Sequence, residues 1–215
     1  MVLSLASAAQ VTTTDQARVG LLWHIREKER AAAAERGVHL TLLSFVVKAA
    51  VSALRRDPWL NASYDGDREE VVLKGYYHVG VAVETRDGLI VPVVRDADRK
   101  SVLEIAREIQ DLSGGARART LTVEQLRGGT FTVSNYGSIG GIFATPILNP
   151  PQVGLLGLGR ACDQPVARDG GLRVEKVLPL SLTFDHRVVD GATAQYFLRE
   201  LVRNLEDPDR FLVGG

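Results

Sequence analysis

The spacing of apolar residues changes several times along the chain, and each change marks an element. Residues 10–15 (QVTTTD) read as a β-rich strand. A helix is expected over roughly 16–35, with Val19, Leu22, Trp23 and Arg26 on one face, a helix-favouring AAAAE run inside it and Gly37 as its stop. Thr41 is placed to cap a second helix that ends before Pro58; its residues 42–54 are apolar nearly all round, which predicts burial on most sides. The period then falls to two. Val79, Val81 and Val83 alternate with His78, Gly80 and Ala82, and Asp87-Gly88 between two apolar segments predicts a hairpin. Ser101 and Glu104 have the spacing of a capping box, ahead of a helical stripe of Val102, Ile105, Ala106, Ile109 and Leu112. Thr122 and Gln125 predict a second, shorter capped helix.

The last third reads as strand-rich, with strands expected over 129–134, 153–159 and 177–184. In the last of these Leu178, Leu180, Leu182 and Phe184 share a face. A final helix is expected over about 191–206, carrying Phe197, Leu198, Leu201, Val202 and Leu205 on one side. Strands and helices mix without strict alternation, so an α+β or mixed-sheet domain fits better than a doubly wound sheet. No repeat, low-complexity segment or Pro/Gly linker divides residues 1–215, which are read as one domain.

Charge and cysteine usage narrow the function classes. With 26 basic and 26 acidic residues the net charge is zero, which argues against a nucleic-acid binder working by bulk phosphate neutralisation. It also gives poor protection against self-association, so an oligomer is expected. Cys162 is the single cysteine; it excludes an intrachain disulfide and a Cys-rich zinc site, and it suits a reducing compartment. The first residues lack the charged region of a signal peptide, and no stretch approaches ~20 apolar residues. The expected location is the cytoplasm of a bacterium, or the mitochondrial matrix if the source is eukaryotic.

Two short runs carry candidate chemistry. FDHRVVDG, residues 184–191, sets His186 just past the alternating strand, with Asp185, Arg187 and Asp190 around it and Gly191 permitting a tight entry into the final helix. An imidazole at a strand end suits a base for a thiol or hydroxyl. Local spacing leaves three readings open: a salt-bridged turn, a metal site with Asp185 and Asp190, and a catalytic base. His24, His39 and His78 read as structural or surface residues, and no pair has zinc-site spacing. In GGTFTVSNYGSIGG, residues 128–141, Thr130, Thr132 and Ser134 alternate with Phe131 and Val133. The hydroxyl row is either the solvent side of a strand or a hydrogen-bond donor for a developing oxyanion. The glycines between Gly128 and Gly159 match neither a phosphate loop, nor a dinucleotide fingerprint, nor a serine-hydrolase elbow; they read as tight turns and close backbone approaches.

Together these runs closely resemble the catalytic domain of the dihydrolipoamide acyltransferases, the E2 components of 2-oxo acid dehydrogenase complexes. The resemblance rests on LPLSLTF followed by Asp185-His186-Arg187-x-x-Asp190-Gly191, on GGTFTVSNYGSIGG with TPILNPPQVGLLGLGR, on GLIVPVVRDADRKSVLEIAREI and on LTLLSFVVKAAVSALRRDPWLNAS, in the family's order over almost the whole chain. The His-x-x-x-Asp-Gly core alone is shared with other members of the chloramphenicol acetyltransferase-like superfamily. The resemblance implies a mixed β-sheet flanked by helices, a two-layer sandwich assembled as a trimer, with active sites in channels between subunits and a possible cubic or dodecahedral core. It implies acyl transfer between a dihydrolipoyl thiol and coenzyme A, with His186 as base, Ser134 as oxyanion donor and Asp190 holding the loop and active-site geometry. Coenzyme A enters as a substrate, the lipoyl group comes from a separate domain or chain, no metal is implied, and E1 and E3 subunits are the implied partners.

Several positions depart from the family. Met1 stands at the last residue of the family's R-R-x-I-A-x-R-M segment, so an arginine partner for Asp190 is expected to be missing. Gln16-Ala17-Arg18 replaces usual acidic residues, and no lipoyl or peripheral-subunit-binding domain is expected within the chain. The alternatives are a coenzyme A-dependent acyltransferase with a non-lipoyl acceptor and a non-catalytic structural core subunit. An acetyl or branched-chain acyl group is preferred on overall resemblance. Phe211, Leu212 and Val213 are expected either as an apolar hook between trimers or as a frayed end.

Overall fold

The computed structural model of the chain describes residues 2–168 and 170–212. In chain order its elements begin with α1 (Val2–Ser7), β1 (Gln10–Arg18), α2 (Gly20–Glu35) and α3 (Leu42–Arg56). Six short strands follow: β2 (Ala62–Asp65), β3 (Glu70–Leu73), β4 (Val79–Val81), β5 (Val83–Thr85), β6 (Gly88–Ile90) and β7 (Val93–Val94). Then come α4 (Val102–Ala118), β8 (Phe131–Asn135), β9 (Gly154–Leu158), β10 (Cys162–Arg168), β11 (Gly171–Asp185), α5 (Gly191–Glu206) and α6 (Asp209–Leu212).

The main sheet runs β1-β11-β9-β8-β4-β7, with β10 paired to the first half of β11. The β8–β9 and β4–β8 pairs are parallel and the others antiparallel, so the sheet is mixed as expected. Two two-stranded sheets, β2-β3 and β5-β6, stand beside it. One face carries Phe131, Val133, Leu156, Leu180, Leu182 and Phe184 and packs under the helix layer, where the rings of Phe131 and Phe197 lie 5.8 Å apart. On that layer α5 packs on β1 and β11, and α3 packs on α5 and α4. No described helix is long and apolar enough to cross a membrane.

Several expected boundaries are met closely. The Ser101–Glu104 capping box forms, the Asp87-Gly88 turn joins β5 to β6, and α5 occupies the expected residues. The helix expected from residue 16 begins at Gly20 instead. Residues 16–18 continue β1 because its nine-residue register with β11 runs to Arg18. Thr41 sits at the start of α3, but its hydroxyl does not cap; Ser44 Oγ donates back to Thr41 O at 2.8 Å. The segment after Thr122 is a single 3₁₀ turn, Glu124–Leu126. β11 starts well before residue 177, in an exposed hairpin with β10 that lacks a buried alternation to announce it. At the C-terminus Phe211 is 1% exposed and belongs to the chain's own core, so it is not a free hook. Leu212 remains partly exposed beside an apolar groove formed by Ile25, Leu40, Phe45, Val102 and Leu103, while Val213 and Met1 lie outside the described residues.

Candidate active site

The His186 corner is built where β11 leaves the sheet. Backbone hydrogen bonds hold the strand to its end: Asp185 N donates to Val153 O at 3.0 Å and His186 N to Ala9 O at 2.8 Å. The Asp185 carboxylate is buried, 3% exposed, and Arg187 grips it at two points, Nε to Oδ1 at 3.0 Å and Nη2 to Oδ2 at 2.6 Å. The Arg187 guanidinium in turn lies 4.4 Å from the centre of the Tyr64 ring. Burial by itself would raise the Asp185 carboxyl, but the Arg187 bonds and charge outweigh it and hold the group below the ordinary carboxylate range. The turn is therefore salt-bridged, and His186 takes no part in the bridge. Its imidazole is exposed, rests against the Phe184 ring at 5.7 Å, and has no hydrogen-bond partner among the described residues.

Asp190 ends the turn as the N-cap of α5, its Oδ1 accepting Thr193 N at 2.7 Å. Those Thr193 contacts lower its carboxyl, and the nearby His186 adds to the effect. Gly191 has an ordinary φ and open space around its α-carbon, so the cap rather than the glycine shapes the entry to α5. Among the described residues no group of His, Cys, Asp and Glu is arranged to hold a metal ion.

Ser134 lies in the middle of the sheet, on the face opposite the helices. That face is a row of hydroxyls, since Ser134 and Ser181 both pair with Gly157, and Thr132 and Thr183 both pair with Leu155. It is not a solvent face. The segment from Tyr136 to Gln152 folds over it, leaving Thr130, Thr132, Ser181 and Thr183 at most 3% exposed. Each of these buried hydroxyls has a partner: Thr130 bonds the His78 backbone, Thr132 bonds Gln152 Oε1 at 2.6 Å, Thr183 meets Thr12 at 2.7 Å, and Ser181 meets Tyr136 and Ala144 N. Ser134 Oγ alone in the row has no partner among the described residues. It opens instead into a cavity of about 490 Å³, lined also by Leu89, Val91, Tyr136, Ala144 and Leu155.

The two candidate groups do not meet within one protomer. Ser134 is level with Ser181, two strands away, and His186 lies five residues beyond Ser181, one past the end of β11. Strand spacing and rise put them on the order of 20 Å apart. Reacting groups must approach to about 3–3.5 Å, so one copy cannot bring both to one carbonyl. The remaining histidines are structural or exposed. His78 Nδ1 accepts Asp96 N at 3.0 Å, and His24 and His39 lie on the surface.

Sequence reasoning did not single out Tyr136 or Ser181. The signal was a lone serine inside the apolar LPLSLTF run, since a hydroxyl in a buried strand requires a partner.

The profile of the family described as 2-oxoacid dehydrogenases acyltransferase (catalytic domain) matches residues 1–213. The chain is 46% identical over its full length to the dihydrolipoyllysine-residue acetyltransferase component of the pyruvate dehydrogenase complex of Staphylococcus epidermidis, and spans about half the length of the curated relatives it matches. Among solved structures it superposes on the cubic core of the pyruvate dehydrogenase multienzyme complex with a TM-score of 0.96 and 38% identity, covering 98% of this chain and 87% of that one. A dihydrolipoamide acetyltransferase from Azotobacter vinelandii gives the same TM-score and coverage at 37% identity. Chloramphenicol acetyltransferase, at 20% identity and a TM-score of 0.58 over 92% of this chain and 89% of that one, shares the fold.

Proposed function

The chain belongs to the family of 2-oxoacid dehydrogenase acyltransferase catalytic domains, and on that premise we propose that it moves an acyl group between an S-acyl-dihydrolipoyl arm and coenzyme A, at a site shared by two copies of the chain. One observation carries the shared site: two side chains whose polar atoms bond no other described residue, Ser134 and His186, are held on the order of 20 Å apart in one protomer. A second copy supplies the missing half of each site. The likeness to a cubic core supports an assembly of this kind, and the unit we propose for it is a trimer.

In the reaction, His186 takes the proton of the coenzyme A thiol, because the thiolate is the nucleophile. The thiolate adds to the thioester carbonyl and forms a tetrahedral oxyanion. Ser134 of the neighbouring copy donates a hydrogen bond to that oxygen. Collapse breaks the bond to the dihydrolipoyl sulfur, which leaves with the proton that His186 returns. Asp190 caps α5 and fixes the turn on which His186 sits. In the Azotobacter protein a serine, a histidine and an asparagine have been examined for roles in catalysis, and they stand at the same intervals along the chain as Ser134, His186 and Asp190. Asp190 stands where that one protein has asparagine, and its main visible work in this chain is the cap of α5. No cluster of described residues assigns a coenzyme A subsite. The lipoyl arm is supplied by another domain or chain, with E1 and E3 as expected partners and the bacterial cytoplasm as the expected location.

Mixing variants tests the shared site. His186→Ala and Ser134→Ala are each expected to transfer almost no acetyl group from acetyl-coenzyme A to dihydrolipoamide. Unfolded and refolded together, they are expected to recover roughly a quarter of parental activity, because random partners restore that share of sites. Recovery of none, with assembly intact, would sink the shared site; a folded parent without transfer would point to a structural core subunit.

A further inference from the structure

We propose that Ser181 and Tyr136 form a latch that fixes the width of the cavity beside Ser134 and so selects short, uncharged acyl groups; both act as positioning residues. The inference rests on the acyl-transfer reading above. An oxyanion bonded to Ser134 Oγ places the carbonyl carbon within about 4 Å of that oxygen. The acyl group attached to that carbon then occupies the cavity that Ser134 lines. Among the described residues of one protomer, no charged side chain lines it. A carboxylate on the acyl group would lose its water against this wall and gain no cation from it.

The wall of this cavity is the segment from Tyr136 to Pro146, which has neither helix nor strand to stiffen it beyond a turn. Close packing stops it from moving inward. Gly157 leaves a slot between Ser134 and Ser181, and the rings of Tyr136 and Pro146 fill it: a Cβ at Gly157 would stand 2.9 Å from each. A Cβ at Gly137 would stand 2.2 Å from Gly159 O, and one at Gly159 2.1 Å from Ile142 O. Movement outward is opposed by Ser181, which is fully buried and holds the segment at two points. Its Oγ accepts Ala144 N at 3.2 Å and lies 3.2 Å from Tyr136 Oη. Tyr136, Ala144 and Pro146 all line the cavity, so a change at Ser181 reaches the acyl group through the wall.

The experiment compares kcat/KM for acetyl-, isobutyryl- and succinyl-coenzyme A with dihydrolipoamide in the parent, Tyr136→Phe and Ser181→Ala, alongside Tm. The parent is expected to use both uncharged substrates far better than succinyl-coenzyme A. Tyr136→Phe removes one oxygen and keeps the ring; it is expected to raise the isobutyryl-to-acetyl ratio about threefold to tenfold with little change in Tm. Ser181→Ala is expected to shift the ratio the same way and to speed hydrogen exchange at the Ala144 amide. An unchanged ratio in an active Tyr136→Phe, or rates for all substrates falling together with Tm, overturns the latch and leaves the transfer reaction standing. Equal use of succinyl-coenzyme A by the parent overturns the uncharged cavity. A folded parent that transfers no acyl group overturns both readings.

Discussion

The His186 corner and the Ser134 cavity are built by opposite means. The corner is a strand end in water, held by charge: Asp185 clamped by Arg187, Arg187 on Tyr64, and Asp190 capping α5. The cavity is mid-sheet, held by contact: glycines let a loop lie against the strands, and buried hydroxyls tie it down. The difference follows the chemistry expected of each. A base must exchange protons and meet a mobile thiol, so its ring stays exposed while its backbone is fixed. An oxyanion donor acts only if it is already oriented when charge develops, so it sits in a packed wall.

The largest effect expected to test that contrast is at the base. His186→Ala should lower kcat by about 10²–10⁴-fold while Tm stays close to the parent, since the imidazole is exposed and makes no hydrogen bond among the described residues. A large fall in Tm would mean that the ring holds the corner together and would break the comparison. Ser134→Ala should lower kcat by about 10²–10³-fold, or about 3 kcal/mol of transition-state stabilisation, with KM little changed. A rise in KM with kcat preserved would make Ser134 a binding residue instead.

The charge clamp should respond to pH in a way the cavity does not. Asp185→Asn leaves Arg187 without its anion and should cost on the order of 1–3 kcal/mol of stability, toward the lower end because Arg187 is partly in water. The Asp185 carboxyl is held below its ordinary value, so its contribution is complete above the unfolded value near about pH 4 and is lost as pH falls through the folded value. Unfolding curves of the parent and Asp185→Asn should therefore converge in acid, whereas those of Ser181→Ala should stay apart. The smallest expected effect is at the cap. Asp190→Ala should lower Tm slightly and Asp190→Asn should preserve it, because asparagine still accepts Thr193 N. Equal losses in both would mean that the carboxylate charge matters more than the cap.

Much of this was legible because it is local. The Ser101–Glu104 box, the Asp87-Gly88 turn and the stripe of α5 each depend on residues a few positions apart, and each appears where the pattern put it. The family blocks around Ser134 and His186 were legible for the same reason, as short runs of particular residues. Elements whose limits depend on a distant partner were not. Residues 16–18 extend β1 only because β11 lies beside them, and β10 exists only as the other arm of an exposed hairpin.

By itself, the sequence determined the kinds of element, the mixed α+β class, the family and the residues with chemistry to offer, because periodicity, caps and motifs are written at short range. Tertiary structure alone decided that the hydroxyl row is roofed over, that Ser134 is the member left unbonded, and that Asp185 rather than His186 takes the salt bridge. It also decided that serine and histidine stand too far apart to share a carbonyl within one chain. Those outcomes depend on register across β8, β9 and β11 and on how closely glycines admit a loop. Such distances arise from packing residues far apart along the chain, which no local pattern encodes.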